Sequence, residues 1–145
     1  SKFHKLIIGK EPKVAFLSFS TNGSASHYKV EKIKNSVKMF EQKYPQILCE
    51  GEVQFDAAIN TDIAIRKNSS SKLRGSANVL IFPDLDSGNI AYKITERLAN
   101  YAAWGPLLQG LKKPVHDLSR GCSVDDIISV SAIAALQAKD CYANV

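Results

Sequence analysis

The residues whose types and spacing best suit chemistry lie in Asp117-Leu118-Ser119-Arg120-Gly121-Cys122-Ser123-Val124-Asp125-Asp126. A hydroxyl at Ser119, a guanidinium at Arg120 and the free N–H groups of a helix start would converge on a phosphate or carboxylate. The same letters support a purely structural role. Ser123 and Asp126 stand in the serine-x-x-acid spacing of a capping box, with aspartate in place of the usual Glu or Gln. Asp125 and Asp126 would also sit well against the positive end of the helix dipole. Spacing alone favours the cap over catalysis, and Arg120 then simply pairs with a carboxylate. The two roles are compatible, because a cap that fixes the helix start also fixes an anion site built on it.

Other segments are less specific. Ser20-Thr21-Asn22-Gly23-Ser24 is a hydroxyl-rich loop that would suit phosphate, yet it lacks the Lys-Ser or Lys-Thr ending of a P-loop. In Pro83-Asp84-Leu85-Asp86-Ser87-Gly88-Asn89, Ser87 is the expected cap of the next helix, and Gly88 permits close approach by a ligand. A plain strand-to-helix turn explains those residues equally well. Arg97 falls near the apolar face of the following helix. Either its stem packs while its head reaches water, which is the commoner outcome, or it points toward an anion. Cys122 is near a helix start, where a thiol can be activated, and is read as structural, with an acyl-carrying role as the remote alternative. His116 is close to it, but a triad of Ser119, His116 and an aspartate matches no recognised motif.

The elements that would position these residues alternate. Val14–Phe19 reads as a buried strand after Pro12. Val30, Ile33, Val37, Phe40 and Tyr44 repeat at helical spacing, with lysines on the other faces and Pro45 as the stop. Ile47 to Phe55 reads as a second strand, Asp56 to Lys67 as a weakly patterned helix, and Asn78 to Phe82 as a third strand. Ile90, Ile94 and Leu98 mark the next helix, 102–109 a fourth strand interrupted by Gly105-Pro106, and Val124 to Cys141 a helix apolar on nearly every side. This order predicts an α/β chain: a three-layer, mostly parallel sheet with helices on both faces. The loops after the strands, Ser20–Ser24, Pro83–Asn89 and Lys113–Ser123, would then gather at one sheet edge, where ligands bind in such folds.

Composition narrows the class. Hydrophobic residues make up 45% and charged residues 23% of the 145, as in globular proteins. No apolar run reaches the ~18 residues of a membrane span, and no signal peptide is visible. The start is not methionine, which suggests a fragment. Cys49, Cys122 and Cys141 are odd in number and lack paired spacing, which predicts a reducing, cytoplasmic setting without a disulfide framework or zinc site. The net charge of +5 suits anionic small molecules, and no arginine-rich or aromatic-interleaved stripe points to nucleic acid.

Five blocks, in order, carry a family resemblance: Lys13 to Ser24, Gly51 to Ala58, Ala77 to Lys93, Gly105 to Leu111 and Lys113 to Ser123. They resemble the phosphate acetyltransferases (phosphotransacetylases), which move an acetyl group between coenzyme A and inorganic phosphate. His116 departs from the asparagine expected in that family. The resemblance implies that Asp126 is the base toward the coenzyme A thiol. It implies that Ser119 holds the sulfur or a phosphate oxygen, and that Arg120 binds acetyl phosphate and its transition-state charge. Arg97 matches a further arginine of the site, and Ser20, Thr21, Gly23, Ser24, Ser87, Gly88 and Asn89 fall on the expected substrate side. The implied fold is part of the isocitrate/isopropylmalate dehydrogenase-like type. The implied partners are acetyl-CoA, CoA, phosphate, acetyl phosphate and a second subunit of a homodimer, with no cofactor, metal or covalent acyl-enzyme.

On the same footing, residues 1–112 would form most of the family's second, inserted, dimer-forming domain. Residues 113–145 would form the active-site loop and the last helix returning to a first domain whose amino-terminal part is absent, leaving the chain by itself with little activity. A non-catalytic acyl-CoA-sensing module, as attached to some malic enzymes, and a phosphate butyryltransferase are the alternatives. The intact Ser119-Arg120-Gly121 block favours an enzyme over the sensor, and the match over Pro83–Lys93 favours acetyl. Chemically, a thiol of pKa about 8.5 loses its proton only uphill to an ordinary aspartate of about 3.9. Burial of Asp126 in a closed cleft would narrow that gap.

Overall fold

The structure is a computed structural model that describes residues 2–143, with side chains through Lys139. The described residues fall into two compact units, one ending at Asn89 and the other starting at Ile90. The elements are α1 (Lys2–Ile8), β1 (Lys13–Leu17), α2 (Tyr28–Lys43), β2 (Leu48–Val53), α3 (Phe55–Ile59), α4 (Thr61–Lys67), β3 (Val79–Ile81), α5 (Leu85–Ala99) and α6 (Val124–Ala143). Among the described residues no helix is long and apolar enough to cross a membrane.

The three strands form a parallel sheet in the order β2-β1-β3. Being central, β1 is covered on both faces, which is why it reads as an unbroken apolar run. Val14 and Phe16 face α2 and pack with Ile33, Val37 and Cys49. Ala15 and Leu17 face the other way and pack with Val53, Ala57, Ala58 and Leu73. The small sheet is therefore flanked on both sides, as the alternation of elements predicts. Val30, Ile33 and Val37 are the buried stripe of α2, each worth ~1.5–3 kcal/mol of apolar burial.

The helix expected from Asp56 to Lys67 is broken in two. Asn60 is extended (φ −126°, ψ 122°), closes α3, and its Oδ1 accepts the Ile63 N–H at 3.1 Å to start α4. Short polar side chains compete with helix propagation in this way. The expected fourth strand is also absent among the described residues: 102–109 contributes only an isolated antiparallel bridge between Leu107 and His116. Pro106 has no N–H to give a ladder, and Gly105 holds φ at +145°. The apolar sides of the last two helices are barely used within their own unit. In α5, Ile90, Ile94 and Leu98 are all exposed. In α6, Val130 and Ile133 are buried while Val124, Ile128 and Leu136 are not, so the helix is buried on one side and not all round.

Candidate active site

The segment from Ser119 to Asp126 is a turn that feeds a capped helix. Cys122 N–H donates to the Ser119 carbonyl at 3.0 Å, and Gly121 N–H to Ser119 Oγ at 3.3 Å. Ser123 is the cap that its spacing predicts. Its N–H and its Oγ–H each donate to Asp126 Oδ2 at 2.8 Å, and Asp126 N–H returns a bond to Ser123 Oγ at 3.2 Å. The Ser123 backbone and hydroxyl donors hold the Asp126 carboxyl below the usual carboxylate range, helped by the charge of Arg97. The upward shift that burial would give is the smaller effect here.

Arg97 reaches this turn from α5. Its Nη2 lies 3.3 Å from where a Cβ on Gly121 would stand, and that same point is 4.0 Å from Ser119 Oγ. A side chain at position 121 would therefore press on the guanidinium. Arg97 pairs only loosely with Glu96, at 3.5 Å, and its side chain is 63% exposed. The Arg97 guanidinium therefore stands at the turn while its side chain stays largely open to water. Arg120 is exposed and makes no hydrogen bond or ion pair among the described residues. Unit 2 thus brings Arg97, Ser119 and Asp126 to one turn and leaves the Arg120 guanidinium available to an anion.

His116 is held elsewhere. Its Nε2 bonds to Gln137 of α6, while its Nδ1 is buried without a partner. No hydrogen bond joins it to Ser119 or Cys122, so the triad is not assembled. Cys49 and Cys122 are free thiols; burial, with Glu41 nearby, pushes Cys49 up. The side chain of Cys141 lies outside the described residues. No group of three His, Cys, Asp or Glu among the described residues is arranged to hold a metal.

The loop after β1 already holds an anion, and it is the protein's own. Glu52, 4% exposed, takes the Ser20 hydroxyl at 3.0 Å and the Gly23 N–H at 2.7 Å on one carboxylate oxygen. Ser24 Oγ accepts the Thr21 N–H at 3.0 Å, and Thr21 Oγ1 exchanges bonds with Gln54 at 3.1 and 2.9 Å. The donors of Ser20 and Gly23 that a phosphate would use are thus turned onto a carboxylate of β2. Glu52 is not among the residues singled out from sequence, because a glutamate between Glu50 and Gln54 carries no local sign of burial. Glu52→Ala is expected to destabilise the fold by about 1–3 kcal/mol, because the buried Ser20 hydroxyl and the Gly23 N–H lose the acceptor they share. Urea unfolding checks this; an unchanged midpoint would show that the bonds are dispensable.

In the loop after β3, the cap of α5 is Asp84 and not Ser87. Asp84 Oδ1 accepts the Ser87 N–H at 2.8 Å, and Ser87 Oγ donates to the Asp84 carbonyl at 3.0 Å. The Ser87 N–H on its carboxylate first, then the nearby Ser87 hydroxyl and the charges of Lys29 and Lys32, hold Asp84 below its ordinary range. Asp-x-x-Ser after Pro83 carried that signal, since aspartate caps as well as serine does. At Gly88 a Cβ would meet Phe82 at an ordinary 3.5 Å, and Asn89 is exposed. Unit 1 also has an open cleft of about 360 Å³, lined by residues including Lys34, Lys38, Lys72, Glu41 and Cys49.

The sequence model of the family described as "Phosphate acetyl/butaryl transferase" matches residues 1–135. A protein of Acetivibrio thermocellus named phosphate acetyltransferase is 50% identical over 139 residues, 96% of this chain and 42% of that protein. A phosphotransacetylase structure from Staphylococcus aureus superposes with a TM-score of 0.87 at 50% identity, covering 94% of this chain and 42% of its own. One from Streptococcus pyogenes gives 0.89 at 45% identity, covering 96% and 42%. The chain therefore spans about two fifths of the length of these relatives.

Proposed function

This chain belongs to the phosphate acetyl/butaryl transferase family, and on that premise we propose that the complete protein carrying it moves an acetyl group between coenzyme A and inorganic phosphate. The observation that carries this reading is the meeting of Arg97, Ser119 and Asp126 at one turn beside the unpaired Arg120. A family resemblance alone would not require that arrangement.

In this reading the thiol of coenzyme A lies against Asp126 and acetyl phosphate against Arg120. Asp126 takes the thiol proton, and the sulfur attacks the acetyl carbonyl carbon. A tetrahedral oxyanion forms and is met by guanidinium and backbone N–H groups. The bond from carbon to the phosphate oxygen then breaks, giving acetyl-CoA and phosphate. Ser119, beside the Gly121 N–H, orients the sulfur or a phosphate oxygen, and Arg97 holds the second anionic group. Holding both substrates in register supplies much of the rate. The donors of Ser20 and Gly23 serve Glu52, so the first loop, with Thr21 and Ser24, is held rigid within its own unit. Ser87, Gly88 and Asn89 lie in the first turns of α5.

The relatives named for the acetyl enzyme favour acetyl over butyryl. The larger architecture proposed is the dehydrogenase-like α/β type, with residues 1–112 in the second domain and 113–145 returning to the first, in a cytoplasmic homodimer. Arg120→Ala in the complete enzyme is expected to lower kcat about 10²–10³-fold, the size of losing one preorganised charge donor at a developing oxyanion. Coenzyme A-dependent consumption of acetyl phosphate is the readout. Parent-like turnover in the variant would remove Arg120 from the chemistry. No turnover in the complete parent protein would point instead to an acyl-CoA-sensing module.

A further inference from the structure

The capping bonds at the start of α6 leave the Asp126 carboxylate in an asymmetric state. Oδ2 accepts two donors from a single residue, the Ser123 N–H and the Ser123 Oγ–H, both at 2.8 Å. Oδ1 accepts none from the described residues. A capping box needs only the backbone N–H of the cap to reach the acidic side chain. Here the hydroxyl reaches it too, while accepting the Asp126 N–H at 3.2 Å. Three bonds between two residues fix the rotation of the carboxyl group, so its unbonded oxygen keeps one direction.

From this geometry, and resting on the assignment of Asp126 as base, we infer that Ser123 is a positioning residue for proton transfer: it pins Oδ2 so that Oδ1 alone faces the thiol. The same bonds carry a chemical cost. Donors to a carboxylate stabilise its charged form, and those of Ser123 are the first causes of the lowered Asp126 value. Ser123 therefore exchanges base strength for aim. A base misplaced by about 1 Å loses about 10²-fold in rate, far more than a modest gain in basicity returns.

The charged groups around Asp126 set the remaining balance. Arg97 of α5 acts on it across the turn and favours the charged form. Asp125 is its neighbour on α6, and Arg120 lies exposed in the loop. Removing the Ser123 hydroxyl leaves those charges in place and deletes one donor. Asp126 then holds its proton more tightly, so the acid limb of the rate profile must move to higher pH.

The test uses the complete enzyme and the variants Ser123→Ala, Ser123→Gly, Ser123→Thr and Asp126→Asn. Glycine keeps a favourable cap backbone, so it carries the comparison if alanine unfolds the helix start. For Ser123→Ala and Ser123→Gly the expected result is a kcat lower by about 10-fold, a KM close to the parent's and an acid limb displaced upward. Ser123→Thr restores the hydroxyl and should recover most of kcat and the parent pH profile. If Asp126→Asn is inactive while Ser123→Ala and Ser123→Gly keep parent kcat and profile, Ser123 is only a cap and the inference fails alone. Parent-like turnover by Asp126→Asn overturns the base assignment and this inference together.

Discussion

Asp126→Asn is expected to lower kcat of the complete enzyme by about 10²–10⁴-fold, the range for losing a positioned general base, with little change in melting temperature. The two effects separate because of how Asp126 is bonded. It serves the helix as an acceptor for the Ser123 N–H and Oγ–H and as a backbone donor to Ser123. An asparagine amide oxygen accepts the same two donors in nearly the same shape, so the cap persists. Asp125 still places a negative charge in the first turn of α6. What asparagine does not do is take a proton from sulfur at neutral pH. Rates from acetyl phosphate and coenzyme A, measured beside a thermal melt, decide the matter. A variant that loses stability and activity in parallel would mean that Asp126 matters only as a cap.

Gly75→Ala should be among the most damaging single changes in unit 1, costing about 2–5 kcal/mol. Two penalties add. Gly75 holds φ at +69°, a left-handed conformation that costs an L-residue ~1–2 kcal/mol. A Cβ there would also overlap the carbonyl of Asn60 and the amide nitrogen of Thr61, and overpacking adds ~1–3 kcal/mol. The obstruction is backbone at the junction of α3 and α4, where Asn60 already serves both helices, so relief by a rotamer change is closed off. Gly23→Ala is the natural control. Gly23 has φ +80° but nothing within 4 Å of its Cβ position, so only the conformational penalty applies. Urea denaturation should show a clearly lower midpoint for Gly75→Ala than for Gly23→Ala at similar m; equal losses would refute the overlap.

The Asp126 cap is local in the chain, whereas the Gly75 contact with Asn60 is distant, and that difference governs what the sequence makes legible. The Ser123–Asp126 cap was visible because both partners are three residues apart and helix geometry alone brings them together. The buried stripe of α2 was visible in the period of Val30, Ile33 and Val37. The break at Asn60 was not, since an asparagine fits the interior of a weakly patterned helix as readily as the cap that Asn60 becomes. The cap at Asp84 was missed because Ser87 and Asp84 both carry capping chemistry, and the choice turns on where β3 lets the chain go.

The amino-acid sequence by itself determined the family, the alternating α/β order, β1 as a buried strand, and the cap that joins Ser123 to Asp126. These follow from periodicity, turn chemistry and blocks of residues, all short-range in the chain. Tertiary structure alone decided that the phosphate-like loop Ser20–Ser24 closes on Glu52. That outcome depends on the register of two parallel strands, with Leu17 opposite Val53. It also decided that Arg97 meets Gly121 rather than water alone. Periodicity fixes which side of a helix a residue occupies, whereas the packing of one element on another fixes what that side touches.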